Sequence, residues 1–424
     1  MSFIKSLFFF LIVFFYIFGP VFRPIGNWFD FIFITSIFLS LYGFGYLKLT
    51  FPTILGRFFP LFIVFFYAVF SIVVFNVDAK NEWIRFFLVP IRILTTLYGG
   101  YVIVAILVKS NKQLFFNSLL NVIYISILLH GVIMIVQLYS VPLKDFIYHY
   151  TAIIDEFRST YEYNFRMGGL SGATGGSVLS VVQAIGILIS TIIFIRAKLS
   201  GKLIIISGDI LIMYSVLVSG RSGIWTVLIF LPIIVYLVNN SHGIIFFLKY
   251  ILIVSFLLFS LWALVQVSEM VDYKSPTYYA LKRSLDTFIS FEESNKFEDE
   301  TIQTVAEMWM LPDDFQTLMF GNSEHLINDQ FNRTLHSDIG YVRNLWGFGI
   351  FFGILFWMPI VSCLLYSYKK LRLFNSAVLL FSLTLLMMFF QGKENFFYVR
   401  MFLSLFSLML FSLYFNIKHS LNAK

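Results

Sequence analysis

The chain has 424 residues, of which 59% are hydrophobic and 12% are charged. Soluble globular proteins carry charge on roughly 25% of their residues, so this composition excludes a soluble protein and indicates an integral membrane protein. The net charge of +7 does not indicate nucleic-acid binding, because the basic residues lie mostly in short connections between apolar segments. The single cysteine, Cys363, excludes a disulfide framework and a cysteine-based metal cluster.

Apolar windows long enough to cross roughly 30 Å of hydrocarbon predict about twelve membrane-spanning segments. Helices are expected rather than barrel strands, because each backbone polar group in lipid must be bonded within its own segment. The predicted spans, in chain order, are 6–22, 28–46, 58–77, 83–107, 115–138, 177–195, 202–219, 224–239, 244–267, 344–366, 374–391 and 396–416. No small-residue cleavage site follows the first of them, so we expect it to remain as a helix.

The distribution of lysine and arginine predicts the orientation of these helices. With the N- and C-termini in the cytoplasm, every clear basic cluster falls on the cytoplasmic side. Two longer segments, 139–176 and 268–343, then lie on the extracytoplasmic side, and the second holds more than half of the 23 acidic residues. We therefore predict one membrane domain over 1–424, with its working surface on the extracytoplasmic face.

Several cationic side chains are expected at the extracytoplasmic edge of the bilayer, although they are far apart in sequence. Guanidinium groups bind phosphate oxygens through a rigid fork of donors and lysine adds a point charge, so this pattern favours an anionic, phosphorylated, lipid-borne ligand. The alternative for each is an extended side chain that reaches lipid headgroups. The residues are Arg166, Arg221, Arg343, Lys393 and Arg400. Arg221 fits the alternative least, because positive charge in a short outer turn opposes the orientation rule. For Lys393, an ion pair with the neighbouring Glu394 is a further alternative.

Other polar residues within the spans favour structural roles. Arg85 and Arg92 are seven residues apart, roughly two helical turns on one face, and we expect them to pair with Asp78, Glu82 or backbone carbonyls in preference to a ligand. His130 is expected to be a hydrogen-bonded interior residue, because no second histidine follows at i+4 to form a metal site.

The glycine-rich segment GGLSGATGG (168–176) does not match a nucleotide-binding loop, because no strand precedes it and no Gly-Lys-Ser/Thr ends it. Two interpretations remain: an anion-binding loop at the start of the sixth helix, or a re-entrant turn packed among helices. Asp209, within the seventh span, must face protein or water because a carboxylate is costly in lipid.

Two motifs at the predicted outer face carry a family resemblance. SGRSG (219–223) precedes the eighth span, and LHSDIGYVRNLWGFGIFFG (335–353) leads from the large late loop into the tenth. Together with about twelve predicted helices, they resemble the bacterial O-antigen polymerase and O-antigen ligase superfamily. Ligase-like members carry His-Asn with a glycine eleven residues later; His336 and Gly347 have that spacing, but Ser337 replaces the asparagine. The polymerases show SD-x-G-Y, which the segment 337–341 provides.

The resemblance implies a GT-C-like fold and a metal-independent, cofactor-free glycosyltransferase in the bacterial inner membrane. Such an enzyme joins oligosaccharide units carried on undecaprenyl pyrophosphate at the periplasmic face. Its implied partners are the lipid-linked donor and acceptor, membrane lipid and a candidate chain-length regulator protein. The residues assigned to pyrophosphate or sugar are Arg166, Arg221, Arg343, Tyr341, Lys393 and Arg400.

The acceptor is a sugar hydroxyl, which benefits from a positioned general base. His336 and Asp338 are the two candidates, and the sequence leaves them unranked. Histidine has the more suitable unperturbed pKa, while Asp338 fits the polymerase motif. The alternatives are that His336 has no role and that Asp338 caps the following helix.

Three other functions compete with the polymerase. An O-antigen ligase would use the same donor with a lipid A-core acceptor, but a full His-Asn motif would favour it. A lipid-linked oligosaccharide flippase should show two related halves with polar residues near the membrane midplane, whereas the charge here lies at one edge. A non-catalytic scaffold leaves the cations without an explanation.

Overall fold

The computed structural model describes most of the chain. The described residues are 3–22, 30–75, 83–151, 165–171, 176–238, 278–279, 306–322, 337–397 and 399–422. Within them the named elements are all helical, with one isolated β-bridge between Phe22 and Thr151.

The helices are labelled in chain order. They are α1 (Phe3–Phe18), α2 (Phe31–Gly45), a 3-10 helix (Thr53–Phe58), α3 (Phe59–Phe75), α4 (Trp83–Ser110), α5 (Phe115–Tyr139), α6 (Val141–Tyr150), α7 (Ser177–Arg196), α8 (Leu199–Ser219), α9 (Ser222–Val238), α10 (Phe315–Phe320), α11 (Gly340–Tyr368), α12 (Asn375–Phe390) and α13 (Arg400–Asn422). Each predicted span coincides with one of these helices, except the ninth (244–267), which lies outside the described residues.

By length and composition, 7 of the described helices can cross a membrane. These stretches are Thr53–Val73, Phe86–Ser110, Phe115–Tyr139, Ser177–Arg196, Leu199–Ser219, Gly340–Tyr368 and Arg400–Leu421. Shorter apolar helices, Ile4–Phe18, Phe31–Gly45, Ser222–Val238 and Asn375–Phe390, accompany them. The described part of the chain is therefore all-helical, and the protein is of the multi-pass membrane type. Two short helices, α6 and α10, also form within segments that the sequence predicted as loops.

One buried apolar cluster draws side chains from every labelled helix except α6 and α10, and consecutive helices run back and forth across it. Short connections join α7 to α8, α8 to α9, α11 to α12 and α12 to α13, and each of these pairs is in contact. Alternate helix ends therefore meet on the same side. We call one side the loop face; it is defined by 165–171, 219–222, 337–343 and 391–400. The opposite face holds the connections 197–198 and 369–374.

Helix α11 is broken where the late loop docks on it. Gly349 has φ +64 and ψ −173, a conformation that only glycine adopts at low cost. Gly321, just after α10, lies so close that a Cβ there would be 2.5 Å from the Gly347 backbone. The Asn322 N–H donates to the Trp346 carbonyl at 2.6 Å, which satisfies a helix carbonyl beside the break. This contact fixes α10 against α11 at its break.

Asp30 joins three helices at the loop face. Its carboxylate caps α2 by accepting the Phe33 N–H at 2.7 Å. It also pairs with Arg400 Nη1 at 2.8 Å and with Arg92 Nη2 at 3.4 Å, while Asp30 itself is only 1% exposed. Asp30 is thus a partner of Arg92 that the sequence did not predict. The predicted carboxylate partners, at 78 and 82, lie outside the described residues.

Replacing Asp30 with alanine should lower the free energy of unfolding by about 2–3 kcal/mol, because it removes a helix cap and a buried partner of two guanidinium groups. Thermal unfolding of the purified protein in detergent measures the effect. Asp313→Ala, at an exposed position of the late loop, is the matched control and should leave the transition unchanged. Equal transitions for the two variants would show that the Asp30 ion pairs do not stabilise the fold.

Candidate functional site

The turn between α8 and α9, residues 219–222, lies at the centre of the candidate site. It contains Arg221 and packs directly on the residue before α7: a Cβ on Gly220 would lie 3.1 Å from the Gly176 carbonyl carbon. The Gly176 N–H donates to the Ser219 carbonyl at 2.9 Å. Gly176 also has φ +137, which favours glycine. The glycines flanking Arg221 and α7 therefore allow two chain segments to touch.

Arg166 lies against the same turn. If Gly176 carried a Cβ, that atom would lie 3.0 Å from Arg166 Nη2, so the guanidinium group packs on the Gly176 backbone. The next residue, Met167, donates its N–H to the Val218 carbonyl at 3.3 Å. Arg166 and Arg221, which are far apart in sequence, are thus brought to one place.

Lys393 reaches this turn from the other half of the chain. It lies in the connection between α12 and α13, and its Nζ donates to the Ser222 hydroxyl at 3.3 Å. The structure therefore brings three of the predicted cations to residues 219–222. We call Arg166, Arg221 and Lys393 the cation cluster.

Helices α5 and α6 hold the segment that carries Arg166. Three consecutive N–H groups, at 168–170, donate to the Tyr148 hydroxyl at 3.1 Å, Gln137 Oε1 at 2.9 Å and His130 Nε2 at 3.2 Å. These N–H groups are used within the protein, which supports a packed re-entrant turn over an anion-binding loop for this part of the glycine-rich segment. Residues 172–175 lie outside the described part of the chain.

The interior side chains of this network have fixed roles. His130 is fully buried, stacks on Phe18 at 4.1 Å and has the Gln183 carboxamide 2.6 Å from its Nδ1. The prediction of a hydrogen-bonded interior histidine is confirmed. Tyr148 lies on α6, and burial raises the pKa of its phenol to about 12. The phenol therefore stays neutral and can accept from Gly168 while donating to the Arg166 carbonyl at 3.5 Å. Neither Gln137 nor Gln183 carried a sequence signal, because their role depends on helix packing.

Asp338 is exposed at the start of α11. It is not the N-cap, which is Ile339, so the capping alternative for Asp338 is wrong. The neighbouring Ser337 hydroxyl accepts the Ile339 N–H at 3.3 Å and donates to the Met308 carbonyl at 2.9 Å. In the SDIGY motif (337–341), the buried Ser337 therefore holds the segment around Met308 against the start of α11, while the Asp338 side chain is exposed. His336 lies outside the described residues, and its role stays a prediction.

The first turn of α11 contacts the connection that carries Lys393. The Tyr341 N–H donates to the Gln391 carbonyl at 3.2 Å, and its hydroxyl donates to the Met388 carbonyl at 2.7 Å. Its ring also stacks on Trp357 at 5.1 Å. Tyr341 thus joins α11 to α12, and Arg343 occupies the same half-buried turn. Contact of either residue with sugar or pyrophosphate stays a prediction.

Arg400 begins α13 at the same face, but its described partner is Asp30 at 2.8 Å. This ion pair offsets part of its charge, so Arg400 contributes less to an anion site than the cation cluster does. A substrate contact for Arg400 stays a prediction. The sequence could not reveal the pair, because Asp30 lies at the other end of the chain.

Asp209 faces protein, as expected for a carboxylate within a span. Its Oδ2 accepts from the Ser190 hydroxyl at 2.8 Å and its Oδ1 from the Tyr124 hydroxyl at 3.2 Å. Among the described residues, no group of three or more histidine, cysteine, aspartate or glutamate side chains is arranged to hold a metal ion.

The fold and the candidate site define a class: a multi-pass helical membrane protein with a cation cluster at one end of its helices. Comparison of the chain with known protein families, characterised proteins and solved structures finds no match.

Proposed function

We propose that this protein is a bacterial inner-membrane glycosyltransferase that polymerises oligosaccharide units carried on undecaprenyl pyrophosphate. The observation that carries the proposal is the meeting of Arg166, Arg221 and Lys393 around one turn at one end of the helices. A lipid-linked pyrophosphate carries its charge at the membrane surface, where membrane-spanning helices end, while its tail remains in the hydrocarbon. The positive charge of the cluster and its position at the helix ends therefore support such a ligand.

In the proposed reaction, an acceptor hydroxyl oxygen attacks the anomeric carbon of the donor sugar. The bond from that carbon to the pyrophosphate oxygen breaks, and the lipid pyrophosphate leaves with the bonding electrons. Cationic donors stabilise the negative charge that develops on this leaving group. We assign that role to the cation cluster, with Arg343 in the neighbouring first turn of α11.

The hydroxyl proton passes to a carboxylate or an imidazole in this scheme. Asp338 supports that assignment because it is exposed at the loop face, next to the turn of α11 that contacts the Lys393 connection. His336 remains the second candidate.

The proposed orientation places the loop face in the periplasm. It is supported by the basic residues of the opposite face. Arg196 and Lys198 lie where α7 meets α8, and Lys369, Lys370 and Arg372 lie where α11 meets α12. Basic residues in short loops favour the cytoplasmic side.

Deletion of this chain in its host separates the polymerase from its competitors. A polymerase deletion should leave a single repeat unit on lipid A-core, visible as one band when the surface polysaccharide is run on a gel. Loss of all attached sugar would instead identify a ligase, and trapping of lipid-linked units in the cytoplasmic leaflet would identify a flippase. An unchanged ladder would exclude all three functions.

A further inference from the structure

A polar cleft lies between α5 and α7 at the opposite face, where α5 begins and α7 ends. Its volume is about 190 Å³, below the roughly 300–1,000 Å³ usual for sites that enclose a whole small molecule. The cleft therefore suits one polar group of a larger ligand. Its lining consists of the polar side chains Asn117, Asn121 and Arg196 and the apolar side chains Leu120, Ile192, Ile193 and Ala197.

Helix α5 holds the guanidinium group of Arg196 in the cleft. Arg196 Nη1 donates to Asn117 Oδ1 at 2.5 Å. Within the described part of the chain, no carboxylate forms an ion pair with Arg196. Because the Asn117 oxygen faces the arginine, its NH₂ group is left to donate, and Asn121 lies one helical turn further along the same face of α5. The cleft thus presents hydrogen-bond donors and a positive charge to a ligand.

Both chain segments that form the cleft carry only positive charge. Residues 107–123 and 190–208 contain neither aspartate nor glutamate. Their cations are Lys109, Lys112, Arg196, Lys198 and Lys202. Basic residues gathered without a carboxylate create a positive potential that attracts anions, and a guanidinium group binds phosphate oxygens through its fork of donors. The chemistry of the cleft therefore favours a phosphate.

The level of the cleft in the membrane favours a phosphate that belongs to a lipid. Asn117 lies in the first turn of α5 and Arg196 is the last residue of α7, and both helices can cross a membrane by length and composition. Ends of such helices lie where the hydrocarbon meets the headgroups. The apolar lining residues Leu120, Ile192 and Ile193 lie one helical turn deeper, at the level of an acyl chain whose phosphate is at Arg196.

We propose that the cleft between α5 and α7 binds the phosphate of an anionic phospholipid, with Arg196 and the two asparagines as donors. A zwitterionic lipid fits less well, because its ammonium group would meet further cations and no carboxylate in the two segments that form the cleft. The cleft lies at the other end of the helices from the cation cluster, and lipid binding there does not depend on the proposed glycosyl transfer.

Photo-cross-linking tests the cleft directly. The full chain is reconstituted in nanodiscs of phosphatidylcholine with a small fraction of phosphatidylglycerol that carries a diazirine on its acyl chain. Label should concentrate on peptides of 115–124 and 190–197, and unlabelled phosphatidylglycerol should remove it. The same diazirine on phosphatidylcholine should label these peptides about tenfold less. Equal labelling by the two lipids would overturn the proposal. Removal of the label by inorganic phosphate would also overturn it, in favour of a soluble anion.

Two charge-matched variants locate the phosphate. Arg196→Gln removes the guanidinium group and should lower the label from phosphatidylglycerol by about tenfold, a loss of about 1.4 kcal/mol of binding. Lys202→Gln is the matched control, because it removes one positive charge from the same face. Lys202 Nζ lies 5.1 Å from the centre of the Phe194 ring and does not line the cleft, so this variant should keep most of the label. Equal labelling of the two variants would refute the site.

Asn121→Ala distinguishes lipid binding from a structural role of Arg196, which also offsets the negative end of the α7 dipole. Asn121 is exposed and takes no part in the contact between Arg196 and Asn117. Its replacement should lower the label by about threefold, the loss typical of one neutral hydrogen bond, without lowering the Tm. Normal labelling in Asn121→Ala together with a lower Tm in Arg196→Gln would restrict Arg196 to a structural role and overturn the proposal.

Discussion

Arg221→Ala is expected to lower polysaccharide polymerisation by about 10²–10³-fold, the usual loss when one donor to a developing anion is removed. The turn that carries Arg221 packs on Gly176 and lies beside both Arg166 and Lys393. Loss of its guanidinium therefore removes one member of the cation cluster. The measurement is the length and amount of surface polysaccharide on a gel, normalised to the amount of protein in the membrane.

Two further variants sharpen this test. Arg221→Lys keeps the charge but loses the two-pronged donor geometry, so it should give an intermediate loss. Arg372→Ala removes an exposed arginine from the opposite face and should leave the polysaccharide unchanged. If Arg166→Ala and Arg221→Ala both give polysaccharide of normal length and amount, the pyrophosphate site is refuted.

The second large effect is expected at the general base. One of Asp338→Ala and His336→Ala should lower polymerisation by about 10²–10⁴-fold, since a positioned base contributes that much to proton transfer. Asp338 is exposed and is not the cap of α11, so its replacement should not alter the Tm. A loss of activity with an unchanged Tm would therefore indicate a chemical role.

Asp338→Asn is the sharper variant, because it keeps the size and polarity of the side chain while it removes the negative charge and the ability to take up a proton. Low activity in Asp338→Asn with normal activity in His336→Ala would assign the base to the aspartate, and the reverse result would assign it to the histidine. Full activity in both variants would remove both residues from the mechanism. Asp313→Asn, at an exposed late-loop position, is the matched control.

Some site features were accessible from sequence because they depend on local chain behaviour. Positive charge in the short turn at 221 stood out against the rule for outer loops, and the structure places that turn beside Arg166. His130 was expected to be interior because it lies in the middle of an apolar span, and it is fully buried. Both inferences needed only the neighbours of each residue along the chain.

Other features needed the packed helices. Asp30 pairs with Arg400 from the far end of the chain, and the partners of 168–170 come from α5 and α6. Asn344 of α11 is buried, and its carboxamide has no hydrogen-bond partner among the described residues; only the packed structure reveals this. A single sequence gives the period of a helix but not which faces meet, so it could not rank these contacts.

Composition and hydropathy alone determined that this chain is helical and crosses a membrane many times, because lipid leaves the backbone few ways to satisfy its hydrogen bonds. They also located nearly all of the described helices, since the length of an apolar run is a local property. The tertiary structure decided which cations share one turn, which arginine is engaged by a buried carboxylate and where α11 breaks. Those outcomes depend on contacts between segments distant in sequence, and the free energy of such contacts is set by packing rather than by any local pattern.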